Sequence, residues 1–589
     1  MSDVDPRQVV FPVNGSRFPF TATIVPGTTE TPPVLADAVL RRHRARILDP
    51  QVAAQPKQGR RRQLNDPTDP LRPIDYFPTA YVADQILVPI DAVEDGSRLR
   101  PALSAAAAVI GIVLFARPED VAAARRRADL PPPGGRRRGR RRPTVEALEQ
   151  RVPATVRVTL RSTRDIAAEP PDAWTVLQAL RDSGDPIARQ SSLNHLLVGA
   201  PGGTSSSGVT FNSGVTFNSG VTFNSGVAGP YQYSVPGWGG RGPVAWVGDP
   251  PPRRGGLGRR PVVAVVDTGV AEHPWFDEPV DGQPVVSRFI FNRDTRQVES
   301  ADDPRGREVH PNLVDPLAGA IDPFFGHGTF IAGLIRRQCP DADIVSIKAM
   351  APDGVVEEGD LLACLDYLYD RHRRALADHG TTDAAGAGAI DVVSLSLGHY
   401  HEQPEDTESD NLLRGRIDAL RSLGILVVAA AGNDSSSRPF FPAAFTEFRD
   451  GAREVADSGA PEWPPMVSVG ALNPDRSVAL FSNGGSWVSC HCPGTVLVST
   501  VPMVDSGAQA GVVMGAAPGS AEVSASWRAT IDPDHYTGFG TWSGTSFAAP
   551  LMAGAAAAKM AAAGNLDQLT AESCASRAYR ALAELGFPL

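Results

Sequence analysis

Three short runs beyond residue 260 of this 589-residue chain are apolar nearly end to end and stop on small or polar residues: PVVAVVDTGV (261–270), DVVSLSLG (391–398) and GILVVAAAGND (424–434). Continuous apolar, β-branched runs of this length are the pattern of strands buried on both faces, as in open α/β sheets. Sheets of that kind place their sites just beyond the C-terminal ends of the strands. Asp267 closes the first run, and Asn433 follows a glycine at the end of the third, where its side-chain amide can face a cleft.

Two further segments belong with these. GHGTFIAGLI (326–335) sets His327 between glycines at the start of an apolar stretch with helical spacing. GTWSGTSFAAPLMAGAAAA (540–558) sets Ser546 after Gly-Thr at the head of an Ala-, Leu- and Met-rich helix. Each signal has a plainer reading. Asp-Thr-Gly also occurs in aspartic proteases, which need two copies, and no second copy is found. A lone histidine is more often a satisfied structural residue, and a serine at a helix start is more often an N-cap.

In the order Asp…His…Asn…Ser, the four motifs resemble the subtilisin-like serine peptidases, the subtilases. The resemblance covers residues 256–575. Phe441-Pro442-Ala443 resembles that family's aromatic-Pro-Ala segment, and FSNGGSWVSCHCPG (481–494) its Phe-Ser…Ala-Pro-Gly stretch, with Cys492 at the Ala position. The implied fold is α/β, a mostly parallel sheet with helices on both faces. The implied activity is peptide-bond hydrolysis, with Ser546 as nucleophile, His327 as general base and acid, and Asp267 orienting the imidazole. Asn433 and the Ser546 N–H would form the oxyanion hole. Ser396, Leu397 and Gly398 on one side and Ala430, Ala431 and Gly432 on the other would flank an extended peptide as backbone edges. Departures are His399, where a second Gly is common and a bulkier ring would narrow the pocket wall, and long intervals at 276–320 and 500–538, expected to decorate the cleft rim. Asp434 beside Asn433 suggests a basic residue before the cut.

The region before the peptidase-like part divides into an irregular extension (1–75, with one helix near Pro33–Ile47), an α+β segment (76–200) and a Gly/Ser-rich linker (201–255). The peptidase part is 256–589. Strands are read at 82–90, 111–116, 154–162 and 194–200. Helices are read after Asp95, at 118–128 and at 171–183, an order that suggests a small ferredoxin-like sandwich. PPPGGRRRGRRRP (131–143), with six arginines in seven residues, reads as a solvated loop. SGVTFN occurs three times in tandem from Ser207. Three copies are too few to bury a solenoid core, so the repeat reads as a tether. Subtilases are commonly made with a ferredoxin-like propeptide whose tail lies in the cleft, so residues 76–200 are expected to inhibit the peptidase and 200–256 to hold the activation cut. Up to Arg260 the basic residues outnumber the acidic by 11, and beyond it the acids exceed by 21, an asymmetry that favours docking of the two parts.

No cofactor or metal is expected. Cys490-His491-Cys492 lacks the second ligand cluster that zinc sites use, His399-Tyr400-His401 is equally thin, and no calcium loop is assigned. The expected partner is a polypeptide substrate. The arginine run lies in no recognisable nucleic-acid fold. The uncharged stretch 101–116 is too short to span a bilayer, five cysteines make no disulfide framework, and the N-terminus shows no secretory signal, so a cytoplasmic location is expected. Two alternatives stay open: a dedicated intracellular processing protease for one partner, and a non-catalytic peptide- or anion-binding scaffold.

Overall fold

The computed structural model describes, apart from short gaps, residues 35–50, 77–128, 154–199 and 240–589, with an isolated pair at 11–12. The stretches 51–76, 129–153, 200–239, 379–387, 404–411, 454–462 and 505–534 are outside the described residues, and with them the arginine run and the SGVTFN repeats.

The first described unit is built from β1 (Ala80–Pro89), α1 (Pro101–Val109), β2 (Ile112–Ala116), α2 (Pro118–Ala128), β3 (Thr155–Ser162), α3 (Ala173–Asp182) and β4 (Ser192–Gly199). Its strands pair antiparallel in the order β4-β1-β3-β2. Asp172 caps α3 by accepting from the Thr175 N–H, and Trp174, Leu177 and Leu180 recur at helical spacing on its buried face. In β3, Val156, Val158 and Leu160 enter this core, so the period of two turns Arg157 to the opposite face. The helix expected across Pro33–Ile47 is shorter. It spans Asp37–Arg42, Arg44 adopts φ +51°, and Ala45–Ile47 is a strand paired with β1.

The larger unit follows in chain order: β5 (Val262–Asp267), β6 (Val286–Asn292), α4 (His327–Gln338), β7 (Asp343–Lys348), β8 (Val355–Glu357), α5 (Glu358–Ala377), β9 (Val392–Leu395), β10 (Leu397–Gly398), α6 (Leu412–Ser422), β11 (Leu426–Ala430), β12 (Val467–Leu472), β13 (Cys490–Pro493), β14 (Leu497–Val504), β15 (Tyr536–Trp542), α7 (Thr545–Ala562) and α8 (Ala571–Glu584). Strands β13-β12-β11-β9-β5-β7-β6 form a parallel sheet, bordered by antiparallel Phe11–Pro12 and Gln297–Ser300. Val263 and Val265 of β5 pack into one core with α4, α7 and α8, while Ala264 and Val266 pack into another with α5 and α6. Burial on both faces is why these strands read as unbroken apolar runs. The interval 276–320 is more than rim, because Val286–Asn292 supplies strand β6 beside β7. Winding reverses between β5 and β9, the crevice where open sheets bind ligands.

Strand β4 belongs to both units. Its first half pairs with β1, Leu196–Val198 pair antiparallel with β8, and Val198 and Gly199 pair antiparallel with β10. The charge asymmetry appears at this seam. Arg42 meets Asp353, Arg127 meets Asp366, and buried Arg157 meets Glu357 and Asp360 at the start of α5. Among the described residues no helix is long and apolar enough to cross a membrane.

Candidate active site

Asp267 is the last residue of β5 and His327 the first of α4. A Cβ on Gly328 would collide with the Gly269 carbonyl oxygen, so glycine lets the helix start approach the strand end. The approach brings His327 Nδ1 to 2.7 Å from Asp267 Oδ1, both residues being buried. The Thr268 N–H donates to the same carboxylate oxygen, and the Gly328 N–H donates to the Thr268 hydroxyl. The rings of Phe324, Trp542 and Phe547 stand 5.3–5.8 Å from the imidazole and keep bulk water off it.

Ser546 lies in the first turn of α7, whose N-cap is Gly544 with no side-chain cap, so the hydroxyl does not serve as a cap. It donates to the Ser396 carbonyl oxygen at 3.1 Å, and the Ser396 hydroxyl donates to the Ser546 carbonyl oxygen at 2.8 Å. His327 Nε2 is buried without a hydrogen-bond partner among the described residues. The serine that sequence pairs with this histidine is therefore turned to Ser396.

Asn433 follows β11. Its side-chain oxygen accepts from Thr545, and its Nδ2 is buried with no partner among the described residues. Of the two expected backbone edges, Leu397 and Gly398 pair with β4. Ala430, Ala431 and Gly432 are differently used. Ala430 pairs with Val469 and the Ala431 N–H donates to the Val469 carbonyl, while the carbonyls of Ala431 and Gly432 accept from Asn483. These backbone groups are thus engaged within the protein.

Several expectations resolve differently. His399 does not narrow the pocket wall: it pairs through its backbone with Phe441, and its ring stacks on His195 of β4. The Asp434 carboxylate accepts the Tyr400 hydroxyl at 2.6 Å. Cys490 and Cys492 both face the α4/α7 core while His491 alternates to the other side, so the triplet does not converge on an ion.

Two residues carry roles that the sequence did not assign. Buried Glu308 accepts the Gly326 N–H at 3.1 Å and the Thr329 hydroxyl at 2.5 Å, bracing the first turn of α4, and burial pushes its carboxyl upward. Asn483 donates to the Ala431 carbonyl and accepts the Asp434 and Ser436 N–H groups, fixing the loop that carries Asn433. Both act across long sequence separations, which no local pattern encodes.

Residues 258–583 match the model of the subtilase family. Among curated proteins, the chain is 28% identical over 185 residues to the minor extracellular protease Epr of Bacillus subtilis, covering 30% of this chain and 22% of that protein. It is 27% identical over 256 residues to an intracellular serine protease of Paenibacillus polymyxa, covering 42% and 60%. It is 28% identical over 240 residues to a thermophilic serine proteinase of a Bacillus species, covering 41% and 45%. The matches thus span between about a fifth and three-fifths of the relatives' own length.

Proposed function

The chain belongs to the subtilase family, and from that premise we propose that it is a serine endopeptidase acting through Asp267, His327 and Ser546. The observation that carries the reading is the 2.7 Å contact of Asp267 with His327 Nδ1, which leaves the buried Nε2 without a hydrogen-bond partner among the described residues. The Ser546 hydroxyl turns from the Ser396 carbonyl to Nε2, attacks the scissile carbonyl and gives its proton to the imidazole. The same proton then goes to the leaving amine, and water repeats the sequence to free the acyl group. Asp267 holds Nδ1–H and stabilises the imidazolium. The unpartnered Asn433 Nδ2 and the Ser546 N–H receive the negative charge on the carbonyl oxygen. A fluorophosphonate probe tests this: labelling of the wild type that disappears in Ser546→Ala supports the nucleophile, and an unlabelled wild type favours the scaffold reading.

The same reading makes residues 76–200 a ferredoxin-like inhibitory segment. The strand order β4-β1-β3-β2 supports it, as does the insertion of Leu196–Gly199 between β8 and β10, the way an extended peptide adds to a cleft. The activation cut then lies in 200–256, and the SGVTFN repeats form the tether around it. N-terminal sequencing of the wild type beside Ser546→Ala tests this. A new N-terminus in that interval, in the wild type alone, is expected. An uncut wild type makes the segment a permanent regulator. Five buried, unbridged cysteines and the name of the Paenibacillus relative support a cytoplasmic place of action.

A further inference from the structure

A closed cluster of imidazoles and carboxylates lies at the seam. His195 comes from β4, Glu358 opens α5, and His399, His401 and Glu402 follow β10. All five are buried, with exposures of 0–5%. His195 Nδ1 is 2.6 Å from Glu358 Oε2, and its Nε2 is 2.8 Å from Glu402 Oε2. The His401 and His399 rings centre 5.1 and 4.7 Å from that of His195. His401 Nδ1, which accepts the Gln403 N–H, is 3.8 Å from Glu402 Oε2. One nitrogen from each of His195 and His401 and one Glu402 oxygen lie within 4.8 Å of one another. Two further buried atoms, Glu402 Oε1 and His399 Nδ1, have no hydrogen-bond partner among the described residues.

We propose that this cluster is a binding site for a divalent transition-metal ion of the zinc class, held by His195, His401 and Glu402. Ligand bonds of about 2.0–2.2 Å in a tetrahedral site put neighbouring ligand atoms roughly 3.2–3.6 Å apart. The present separations of 2.8 and 3.8 Å bracket that spacing, so small side-chain rotations complete it. The Glu358–His195 Nδ1 contact is the carboxylate–histidine–metal arrangement that fixes a ligating ring and strengthens its lone pair. The ion takes the Nε2 lone pair in place of the proton shared with Glu402, and that proton leaves to solvent. The His401 Nδ1 lone pair passes from the Gln403 amide to the ion. A water fills the fourth position. Two imidazoles among three ligands select zinc, cobalt or nickel over calcium or magnesium. Because His195 stands on one unit and His401 and Glu402 on the other, the ion pins β4 into the seam. The site stands whether or not the chain cleaves peptides.

The test uses full-length Ser546→Ala, stripped of metal by chelation and titrated with Co²⁺ and then Zn²⁺. One equivalent of Co²⁺ with the visible absorption of a tetrahedral nitrogen/oxygen site, displaced by one equivalent of Zn²⁺, is expected. His195→Ala and His401→Ala should each lose that equivalent, with circular dichroism reporting whether they fold. The unaltered stripped chain gives a second readout: Zn²⁺ should raise its melting temperature and Mg²⁺ at the same concentration should not. Failure of both ions to bind at micromolar concentration, or an undiminished equivalent in folded His195→Ala and His401→Ala, overturns the proposal.

Discussion

The side-chain oxygen of Asn433 accepts two hydrogen bonds from one residue, the N–H and the hydroxyl of Thr545, at 3.0 and 2.9 Å. With that oxygen committed, the amide nitrogen points the other way, where no described residue meets it. Such a donor is fixed before any charge develops, and its effect falls on the transition state. Asn433→Ala is therefore expected to lower kcat by about 10²–10³ with KM little changed. Thr545→Val keeps the N–H bond and should cost about tenfold, again in kcat. Steady-state kinetics on a peptide substrate separates the two parameters; an effect confined to KM would point to binding instead.

Gly199 is pressed between β8 and β10, and a Cβ there would stand 2.5 Å from the Phe324 ring and 3.4 Å from Met350 Sδ. Gly199→Val should force the tail of β4 away from β8 and β10. Overpacking typically costs about 1–3 kcal/mol, equivalent to roughly 5–150-fold in a docking equilibrium. The full-length variant should cleave a small peptide sooner after purification than the wild type. An unchanged lag would mean that β4 does not occupy the substrate path. The same crowding predicts that substrates prefer glycine at the position facing Phe324, which a peptide library reads directly.

What the sequence disclosed depended on how local each constraint was. β5 and β11 are legible because both their faces are buried, which leaves no polar position to interrupt the run. β3 is legible for the opposite reason, since one face is core and the other carries Arg157 and Arg161. β8 and β10, three and two residues long, carry no period and exist only because β4 lies between them. β6 was hidden in an interval that looked inserted, because its partner β7 lies over fifty residues downstream. Asp267, His327, Asn433 and Ser546 each sit at a strand end or helix start, so local pattern reached them. Glu308, Asn483 and the His195 cluster are defined by tertiary contacts alone. The rotation of Ser546 towards Ser396 is a side-chain torsion, which sequence does not encode.

Arg157 is buried on the seam against Glu357 and Asp360, while Arg293 and Arg296 also reach Asp360. Burial disfavours its charge, and the Asp360 and Glu357 carboxylates more than offset this, holding the guanidinium's pKa above its ordinary value. Removing one partner of a buried pair leaves the other charge without its match. Arg157→Ala in the Ser546→Ala background should lose about 3 kcal/mol, the low end of the usual range because two arginines still attend Asp360. Urea unfolding measures it, and hydrogen exchange should rise first in β4. A loss confined to α2 and β2, with β4 unchanged, would show that Arg157 serves its own unit and not the seam.

His372 on α5 should make the fold acid-labile. Its Nδ1 accepts the Ile390 N–H at 2.9 Å and its Nε2 meets the Leu423 carbonyl at 3.3 Å, an arrangement that suits the neutral ring. Burial is the main cause that pulls its pKa from 6.5 down to about 4. Because the folded pKa lies below the unfolded one, the unfolded chain binds the proton first. Stability is thus fully present above pH 6.5 and is lost as pH falls towards 4, by up to about 3 kcal/mol for this group alone. Half-buried His491, lowered to about 4 by desolvation, adds to the loss. The urea midpoint of Ser546→Ala should fall between pH 7 and pH 5. His372→Gln can keep the Leu423 contact through its amide without titrating, so it should be less stable at pH 7 but show a shallower fall. An equal slope in the two proteins would place the acid sensitivity elsewhere.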